Sequence, residues 1–261
     1  MLFRSCVSSI ELEKSFDKKD EVSMKDKDVI VALDFSETDE VKRFLRKFHG
    51  RQIYTKVGME LFYSQGPNIV KRIKDDGHKV FLDLKLHDIP NTVEKSMRVL
   101  GGLGVDMTNL HCSGTKKMME AGLRGLSDGS PRNHKPILIG VTMLTSTSQR
   151  SMKEEIFIED QIENIVLKYG ALAKSAGLQG VVCSSLESPL IHENLGTDFI
   201  TVTPGIRFES DDKGDQERVT TPEKAKTLGS DYIVVGRSIT GSADPVAAYE
   251  KCLIEFCDSK F

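Results

Sequence analysis

Three features of the sequence predict a single-domain α/β protein with the (β/α)8 TIM-barrel fold. The chain has 261 residues, close to the roughly 250 that one such barrel occupies. Eight short runs of apolar or β-branched residues recur along it, separated by segments with helical periodicity. Polar and charged residues follow these runs, at the position where a barrel of parallel strands carries its active site.

The predicted strands are spaced regularly from residue 29 onwards. In chain order they are 29–33, 52–57, 79–84, 105–110, 136–143, 180–183, 199–202 and 232–235. Between them, apolar residues recur at steps of three and four, as in 39–48 and 161–176, which predicts helices with one apolar face. Strands that alternate with such helices indicate βαβ units and a parallel sheet. An open doubly wound sheet is the alternative, but no GxGxxG segment follows the first strand to support it.

Residues 1–28 differ in composition from the rest of the chain. They carry many charges of both signs and few large apolar residues, which is typical of a solvated, disordered tail or a loosely attached helix. They also lack the apolar run of about 7 to 15 residues that a signal peptide needs. Met24 lies just before the first predicted strand, so an upstream start or a vector-derived extension explains the segment as well as a functional arm does. We therefore expect the barrel to span 29–261.

Composition and charge exclude several classes of partner. With 36 Lys and Arg against 39 Asp and Glu, the formal net charge is −3 and no long basic run is present, so no nucleic acid is expected to bind. The longest uncharged stretch, 136–149, falls short of the roughly 18 apolar residues of a membrane span. The cysteines are scattered and never form a CxxC pair, which argues against a disulfide framework or a zinc site. These features predict a cytoplasmic protein.

The third predicted strand carries two charges. Because successive side chains of a strand point to opposite faces, Asp83 and Lys85 are expected to point together into the barrel mouth. Lys56, at the end of the second strand, adds another ammonium nearby. A charge pair that merely plugs the barrel is the alternative, but an apolar plug would cost less free energy, so the alternating charges indicate a catalytic site. His87 and His111 lack the spacing of a metal site and are expected to be structural.

The last two strands end in residues suited to phosphate. Gly236 and Arg237 follow strand eight, where barrels commonly bind phosphate through backbone N–H groups and a helix N-terminus. Strand seven is followed by 203–207, and the polar stretch 208–218 beyond it has no helical periodicity. Such a stretch is either an exposed connection or a lid. Beside a phosphate site we predict a lid that closes over the substrate.

Seven short segments, in order along the chain, resemble the orotidine 5'-phosphate decarboxylases of the bacterial type. They are ALD at 32–34, KVG at 56–58, FLDLKLHDIPNT at 81–92, VTMLTS at 141–146, TPGIR at 203–207, DQER at 215–218 and VGR at 235–237. The Asp-x-Lys-x-x-Asp core is shared with hexulose-phosphate synthases, so the specificity lies in the combination. The resemblance, which extends from about residue 29 to the C-terminus, implies a TIM barrel that decarboxylates orotidine 5'-monophosphate to UMP and CO2. This is the last step of de novo pyrimidine nucleotide synthesis, and neither a cofactor nor a metal is implied.

The resemblance also implies a role for each matching residue. Lys85 is the implied proton donor to C6 of the pyrimidine, and Asp83 lies beside the departing carboxylate. Lys56 and Asp88 complete the charge array, and Asp88 and Thr92 reach into the site of the neighbouring subunit of a homodimer. The implied substrate contacts are Asp34 to the ribose, Thr145 to the pyrimidine edge, and Arg207, Gln216, Gly236 and Arg237 to the phosphate, with Gln216 on the lid and with Lys56, Asp83 and Thr92 also touching substrate.

The chemistry of this reaction suits these residues. Loss of CO2 from C6 of orotate leaves a carbanion in the ring plane, which the π-system delocalises poorly, so fixed cations must stabilise it. A magnesium-dependent sugar-phosphate aldolase or synthase on the same barrel is the alternative, but Thr145, 204–207 and Gln216 suit a nucleotide and a lid. A catalytically silent nucleotide-binding barrel is a third hypothesis. The like charges crowded around Lys85 argue against it, because a silent barrel has no reason to keep them.

Overall fold

The computed structural model describes residues 27–209, 211 and 219–259 of the chain. Eight parallel strands close into a barrel in chain order, and β8 pairs back onto β1. The strands are β1 (Asp28–Ala32), β2 (Tyr54–Gly58), β3 (Lys79–Leu86), β4 (Met107–His111), β5 (Ile137–Val141), β6 (Gly180–Val182), β7 (Ile200–Ile206) and β8 (Tyr232–Val235). The predicted TIM barrel is therefore confirmed. The strand ends lie close to the predicted ones except in β7.

β7 continues to Ile206, beyond its predicted end at residue 202. A proline cannot donate to a strand ladder and is tolerated in a sheet only at an edge or an irregularity. Pro204 lies at such an irregularity, because the register between β7 and β8 shifts between Thr203 and Ile206. Gly205 takes a φ of 81° there, a backbone conformation that favours glycine. The strand thereby carries 203–206 up to the rim of the barrel.

Helices follow the strands and pack around the outside of the barrel. They are α1 (Thr38–Arg46), α2 (Met59–Gln65), α3 (Asn68–Asp75), α4 (Pro90–Gly102), α5 (Thr115–Gly129), α6 (Gln149–Glu154), α7 (Ile162–Ser175), α8 (Ser188–Leu195), α9 (Pro222–Thr227), α10 (Arg237–Thr240) and α11 (Pro245–Cys257). Short 3-10 turns lie at Cys112–Gly114 and Ser185–Glu187. The helices predicted at 39–48 and 161–176 correspond to α1 and α7, so the apolar periodicity identified them correctly.

Strand alternation divides the core into two layers. The inner layer fills the barrel with side chains from alternate strand positions: Ile30, Ala32, Tyr54, Phe81, Met107, Ile139, Val202 and Val234. The intervening positions face outward and pack against the helices, as Val31, Leu82 and Ile233 do. The inner layer ends below the C-terminal strand ends. The next inward positions, which include Asp83, therefore line an open mouth.

The N-terminal part of the predicted tail, residues 1–26, lies outside the described residues. β1 begins at Asp28, one residue before the expected start of the barrel, and Asp28 lies opposite Tyr232 of β8. Within the ranges given above, no helix is both long and apolar enough to cross a membrane.

Candidate active site

A cavity of ≈ 610 Å³ opens at the C-terminal ends of the barrel strands. Its walls bring together residues that are far apart in the chain and that the sequence predicts as site residues: Asp34, Lys56, Asp83, Lys85, Thr145, Arg207, Gly236 and Arg237. Asp88 and Thr92 do not line this cavity, and Gln216 lies outside the described residues. The barrel therefore assembles most of the predicted site within one chain.

Four charged side chains form an alternating row across the cavity floor, which we call the charged row: Asp34, Lys56, Asp83 and Lys85. The Lys85 Nζ donates to Oδ1 of Asp83 at 2.6 Å. The Lys56 Nζ lies 3.6 Å from Oδ2 of the same carboxylate and donates to Oδ1 of Asp34 at 3.2 Å. Each ammonium thus contacts at least one carboxylate, and Asp83 contacts both ammonium groups. The row gives the cavity fixed positive charge without leaving a buried charge unpaired.

Asp83 is the most buried member of the charged row, with 8% of the residue exposed. Burial by itself raises the pKa of a carboxyl group, because it removes water from the charged form. The ammonium groups of Lys85 and Lys56 outweigh that effect, and with the hydrogen bonds that Asp83 accepts they hold its pKa below the ordinary value of 3.8. Asp83 is therefore a carboxylate at neutral pH.

The backbone of β3 is irregular where it carries the charged row. Its register with β4 advances from Leu82 opposite Thr108 to Leu86 opposite Leu110, so β3 holds extra residues between these pairs. Lys85 has a φ of 50°, in the left-handed region that residues other than glycine rarely occupy. Leu84 still packs outward into the core beneath the helices, as the alternation predicts. A non-glycine residue in this conformation at a site is typical of a functional constraint.

Asn109 of β4 is a site residue that the sequence analysis missed. Its side-chain Nδ2 donates to Oδ1 of Asp83 at 2.7 Å, and its Oδ1 accepts the backbone N–H of Lys85 at 2.8 Å. The alternation of side chains along β4 could have identified it. Met107 lies in the inner layer, so the second residue after it, Asn109, must also face inward. The patterns of β3 and β4 taken together therefore predict that the Asn109 amide and the Asp83 carboxylate both face into the barrel.

Three residues of the cavity wall, Arg207, Gly236 and Arg237, are of the kinds that suit an anion. Gly236 joins β8 to α10. It lies close to Asp34, because a side chain at this position would begin 3.6 Å from the Asp34 Oδ2. Arg207 and Arg237 line the same cavity as Gly236. The backbone N–H of Arg207 donates to the carbonyl of Thr220 at 3.0 Å. This bond joins residues on either side of 208–218, the segment predicted to be a lid, most of which lies outside the described residues.

Asp88 and Thr92 are exposed at the side of the mouth, in the loop after β3 and in the first turn of α4. The Asp88 carboxylate accepts the backbone N–H of Ile89 at 2.7 Å. Ile89 is 66% exposed and Val99, further along α4, is 61% exposed. This edge of the barrel therefore combines large apolar side chains with Asp88 and Thr92, the two residues that, by the resemblance, reach into the site of a neighbouring subunit.

His87 and His111, which the sequence predicts to be structural, do not line the cavity. Their ring centroids lie 5.5 Å apart. Burial, together with the nearby charges of His87 and Lys85, lowers the pKa of His111. Cys112, next to His111, is fully buried in the outer core layer, and burial raises the pKa of its thiol to about 12. Across the described parts of the chain, no three His, Cys, Asp or Glu residues are grouped so that they could hold a metal ion.

Known proteins resemble this chain over most of its length. A family model described as Orotidine 5'-phosphate decarboxylase / HUMPS family matches residues 27–252. A relative from Bacillus cytotoxicus, named orotidine 5'-phosphate decarboxylase, is 55% identical over 225 residues, which cover 86% of this chain and 94% of the relative. A crystal structure of orotidine 5'-phosphate decarboxylase from Lactobacillus acidophilus matches with a TM-score of 0.80 at 42% identity, covering 88% of this chain and 99% of that one. The corresponding structure from Pyrococcus horikoshii, at 22% identity and a TM-score of 0.69, has the same fold.

Proposed function

The chain belongs to the orotidine 5'-phosphate decarboxylase / HUMPS family, and from this premise we propose that the charged row is its catalytic apparatus. The chain is a carboxy-lyase of pyrimidine biosynthesis, which converts orotidine 5'-monophosphate to UMP and CO2. The observation that carries the assignment of residues is the direct contact of Lys85 with Asp83 at the floor of the cavity. An ammonium and a carboxylate held together in a cavity open to substrate supply a proton donor and a fixed field at one point.

In the proposed reaction the bond between C6 and the carboxylate carbon breaks, and CO2 leaves. The electron pair stays on C6, in the plane of the ring, and the Lys85 ammonium stabilises it by charge. A proton then moves from the Lys85 Nζ to C6, giving UMP, and the neutral amine regains a proton from water. No electron carrier is needed, because the pair that leaves the C–C bond ends in the new C–H bond. We therefore propose that the decarboxylation uses no cofactor.

The other members of the charged row position Lys85 and the sugar. Asp83 holds the Lys85 ammonium through its Oδ1 and binds Lys56 through its Oδ2. Lys56 in turn contacts Asp34, whose side chain is 61% exposed and faces the cavity, where it suits the ribose hydroxyls. Because the ammonium groups are fixed by carboxylates before substrate arrives, little reorganisation is required when the carbanion forms.

We assign Arg207, Gly236 and Arg237 of the cavity wall to the phosphate of the substrate. Gly236 leaves room for an anion to approach the backbone, and Arg207 and Arg237 supply positive charge. We assign Thr145, a buried residue of the cavity wall, to the pyrimidine edge. We assign Gln216 and the lid to the phosphate by resemblance alone. Binding energy from this remote group would drive closure and exclude water from C6.

We further propose a cytoplasmic homodimer in which Asp88 and Thr92 of each chain complete the site of the other. Ile89 and Val99 support it, because large apolar side chains exposed near functional polar residues are typical of an interaction surface. A second carboxylate beside Lys85, from Asp88 of the second copy, would hold the ammonium from its free side. Cys112, Cys252 and Cys257 are thiols outside any disulfide, and the cytosol is a compartment that keeps thiols reduced.

The experiment that tests the function follows the ultraviolet absorbance of orotidine 5'-monophosphate mixed with purified protein and excess EDTA. We expect rapid loss of the orotate band and accumulation of UMP. In a parallel arm, sugar phosphates with magnesium restored test the aldolase alternative, and we expect no reaction. An unchanged orotate band with folded protein, or activity only in the magnesium arm, would contradict the proposal.

A further inference from the structure

The side-chain amide of Asn109 joins two parts of the charged row that the strand ladder leaves unconnected. β3 and β4 are in register at Leu82 and Thr108 and again at Leu86 and Leu110. Between these pairs β4 supplies a single residue, Asn109, opposite the irregular part of β3. Its Oδ1 accepts the backbone N–H of Lys85 at 2.8 Å, and its Nδ2 donates to Asp83 at 2.7 Å.

The orientation of this amide is fixed by chemistry. A backbone N–H can only donate and a carboxylate can only accept, so the Asn109 oxygen must face Lys85 and its nitrogen must face Asp83. Asn109 is fully buried, so water cannot substitute for either bond. Asp83 Oδ1 then receives two donors, the Asn109 amide and the Lys85 ammonium, from two strands.

The conformation of Lys85 needs such support. A φ of 50° is unfavourable for a residue with a Cβ and persists only where the surroundings hold it. At this irregularity, where the regular ladder is interrupted, the backbone N–H of Lys85 donates to the Asn109 side chain. The Asn109 amide therefore holds two groups at once. One is the main chain of Lys85, and the other is the Asp83 carboxylate that contacts the Lys85 ammonium.

We propose that Asn109 is a positioning residue for the decarboxylation, which sets the direction of the Lys85 ammonium by holding the Lys85 main chain and the Asp83 carboxylate at once. It does not touch the reacting atoms. This inference rests on the proposed role of Lys85. Asn109, on the neighbouring strand β4, then accounts for the positions of Asp83 and Lys85 in the charged row.

The test compares Asn109→Ala with Thr108→Val under the same assay. Thr108, the preceding residue, is also fully buried and donates from its Oγ1 to the carbonyl of Leu82 at 2.9 Å, so its substitution removes a buried bond to β3 without touching the charged row. For Asn109→Ala we expect kcat to fall about 100-fold while KM and the Kd of UMP change by less than about threefold, since a misdirected proton donor still leaves the binding site intact. For Thr108→Val we expect lower stability with kcat near the wild-type value.

Asn109→Asp provides a second test with a different readout, which also decides the matter if Asn109→Ala does not fold. When the introduced carboxyl group is protonated it can copy the amide, because its carbonyl accepts from Lys85 and its hydroxyl donates to Asp83. When it is ionised it cannot donate, and it repels Asp83. The charged and titratable groups around this point are Asp83 and Lys85 on β3, Lys56 on β2, His111 on β4, and His87 in the loop after β3. These groups titrate in both proteins and change both kcat values. We therefore use the ratio of variant kcat to wild-type kcat at each pH, in which the pH dependence common to both proteins cancels.

We expect that ratio to rise as the pH is lowered from about 8 to about 6, because two adjacent carboxyl groups share a proton and one pKa is raised. A flat ratio, or an Asn109→Ala protein with kcat within about threefold of wild type, would overturn the inference. So would equal losses of kcat in Asn109→Ala and Thr108→Val, since these would indicate a purely structural role. Failure of the wild-type protein to convert orotidine 5'-monophosphate would instead refute the proposed function.

Discussion

In the barrel mouth the Lys85 Nζ lies 2.6 Å from Oδ1 of Asp83, a residue of the same strand. The pair faces the cavity because alternate residues of a strand share a face, and Leu84 between them packs outward. Lys85 has a φ of 50°, and in this conformation its ammonium contacts the carboxylate two residues before it. If the proposed catalytic role is correct, this contact links the stability of the barrel to its chemistry, because the same two charges then serve both.

Asp83 is expected to make the barrel sensitive to acid. Its pKa in the folded protein is lowered, since the charges of Lys85 and Lys56 outweigh burial, which raises it. A lowered folded pKa stabilises the protein above the unfolded value of 3.8, and that stabilisation is lost as the pH falls through the folded value. The free energy of unfolding of the wild type relative to Asp83→Asn should therefore decrease between about pH 5 and about pH 3.

Chemical denaturation of both proteins over this pH range measures the difference. Asp198→Asn is a matched control, because it removes one carboxylate whose side chain is 80% exposed. A wild-type advantage that stays constant with pH, or grows in acid, would show that Asp83 is not held as a carboxylate by its neighbours.

Arg237 is expected to act through the phosphate of the substrate. Arg237→Ala should lower kcat/KM for orotidine 5'-monophosphate by about 10- to 100-fold, as loss of a charged hydrogen bond does. With orotidine, which lacks the phosphate, wild type and variant should differ by less than about threefold, because the interaction is already absent. Arg46→Ala, an exposed arginine in the last turn of α1, should leave both substrates unaffected. An equal loss on both substrates would assign Arg237 another role.

Ile89 is expected to lie in the dimer interface. Ile89→Glu places a charge where an apolar side chain is proposed to be covered, so the dimer Kd should rise by at least about tenfold and activity should fall at low protein concentration. Ile254→Glu is the matched control, because Ile254 is also exposed, by 50%, and lies in α11 rather than in the loop before α4. Sedimentation velocity measures the dimer Kd of both variants. A wild-type protein that is active as a monomer would refute the interface.

Asp88 is expected to act on the site of the second copy. Lys85→Ala and Asp88→Ala should each be inactive, but a mixed dimer holds one complete site, built from the intact Lys85 of one chain and the intact Asp88 of the other. Equal mixing with subunit exchange should restore about a quarter of wild-type activity, because half the dimers are mixed and half their sites are complete. Mixed dimers that form but remain inactive would place Asp88 elsewhere.

Much of this molecule follows from local patterns in the sequence. The alternation of apolar runs and helical periodicity predicts the barrel in order, and the period of two along β3 places Asp83 and Lys85 on its inner face. The bond from Asn109 to Lys85 depends on how β4 lies against an irregular part of β3, which a single strand does not reveal. The extension of β7 through Pro204 depends in the same way on a register shift with β8. The proposed roles of Asp88 and Thr92 depend on contacts with a second copy of the chain. The proposed role of Gln216 depends on a segment that lies outside the described residues.

The most direct test of the central claim is the turnover and UMP affinity of Lys85→Ala, with Lys79→Ala, a lysine at the other end of the same strand, as the matched control. Removal of the proton donor and of the charge that stabilises the carbanion should lower kcat by at least about 1,000-fold. The Kd of UMP should stay within about threefold of wild type, because phosphate and ribose contacts remain. Lys79→Ala should behave as wild type. A Lys85→Ala protein that still decarboxylates at a near-wild-type rate, or one whose UMP binding is lost in step with activity, would contradict the account.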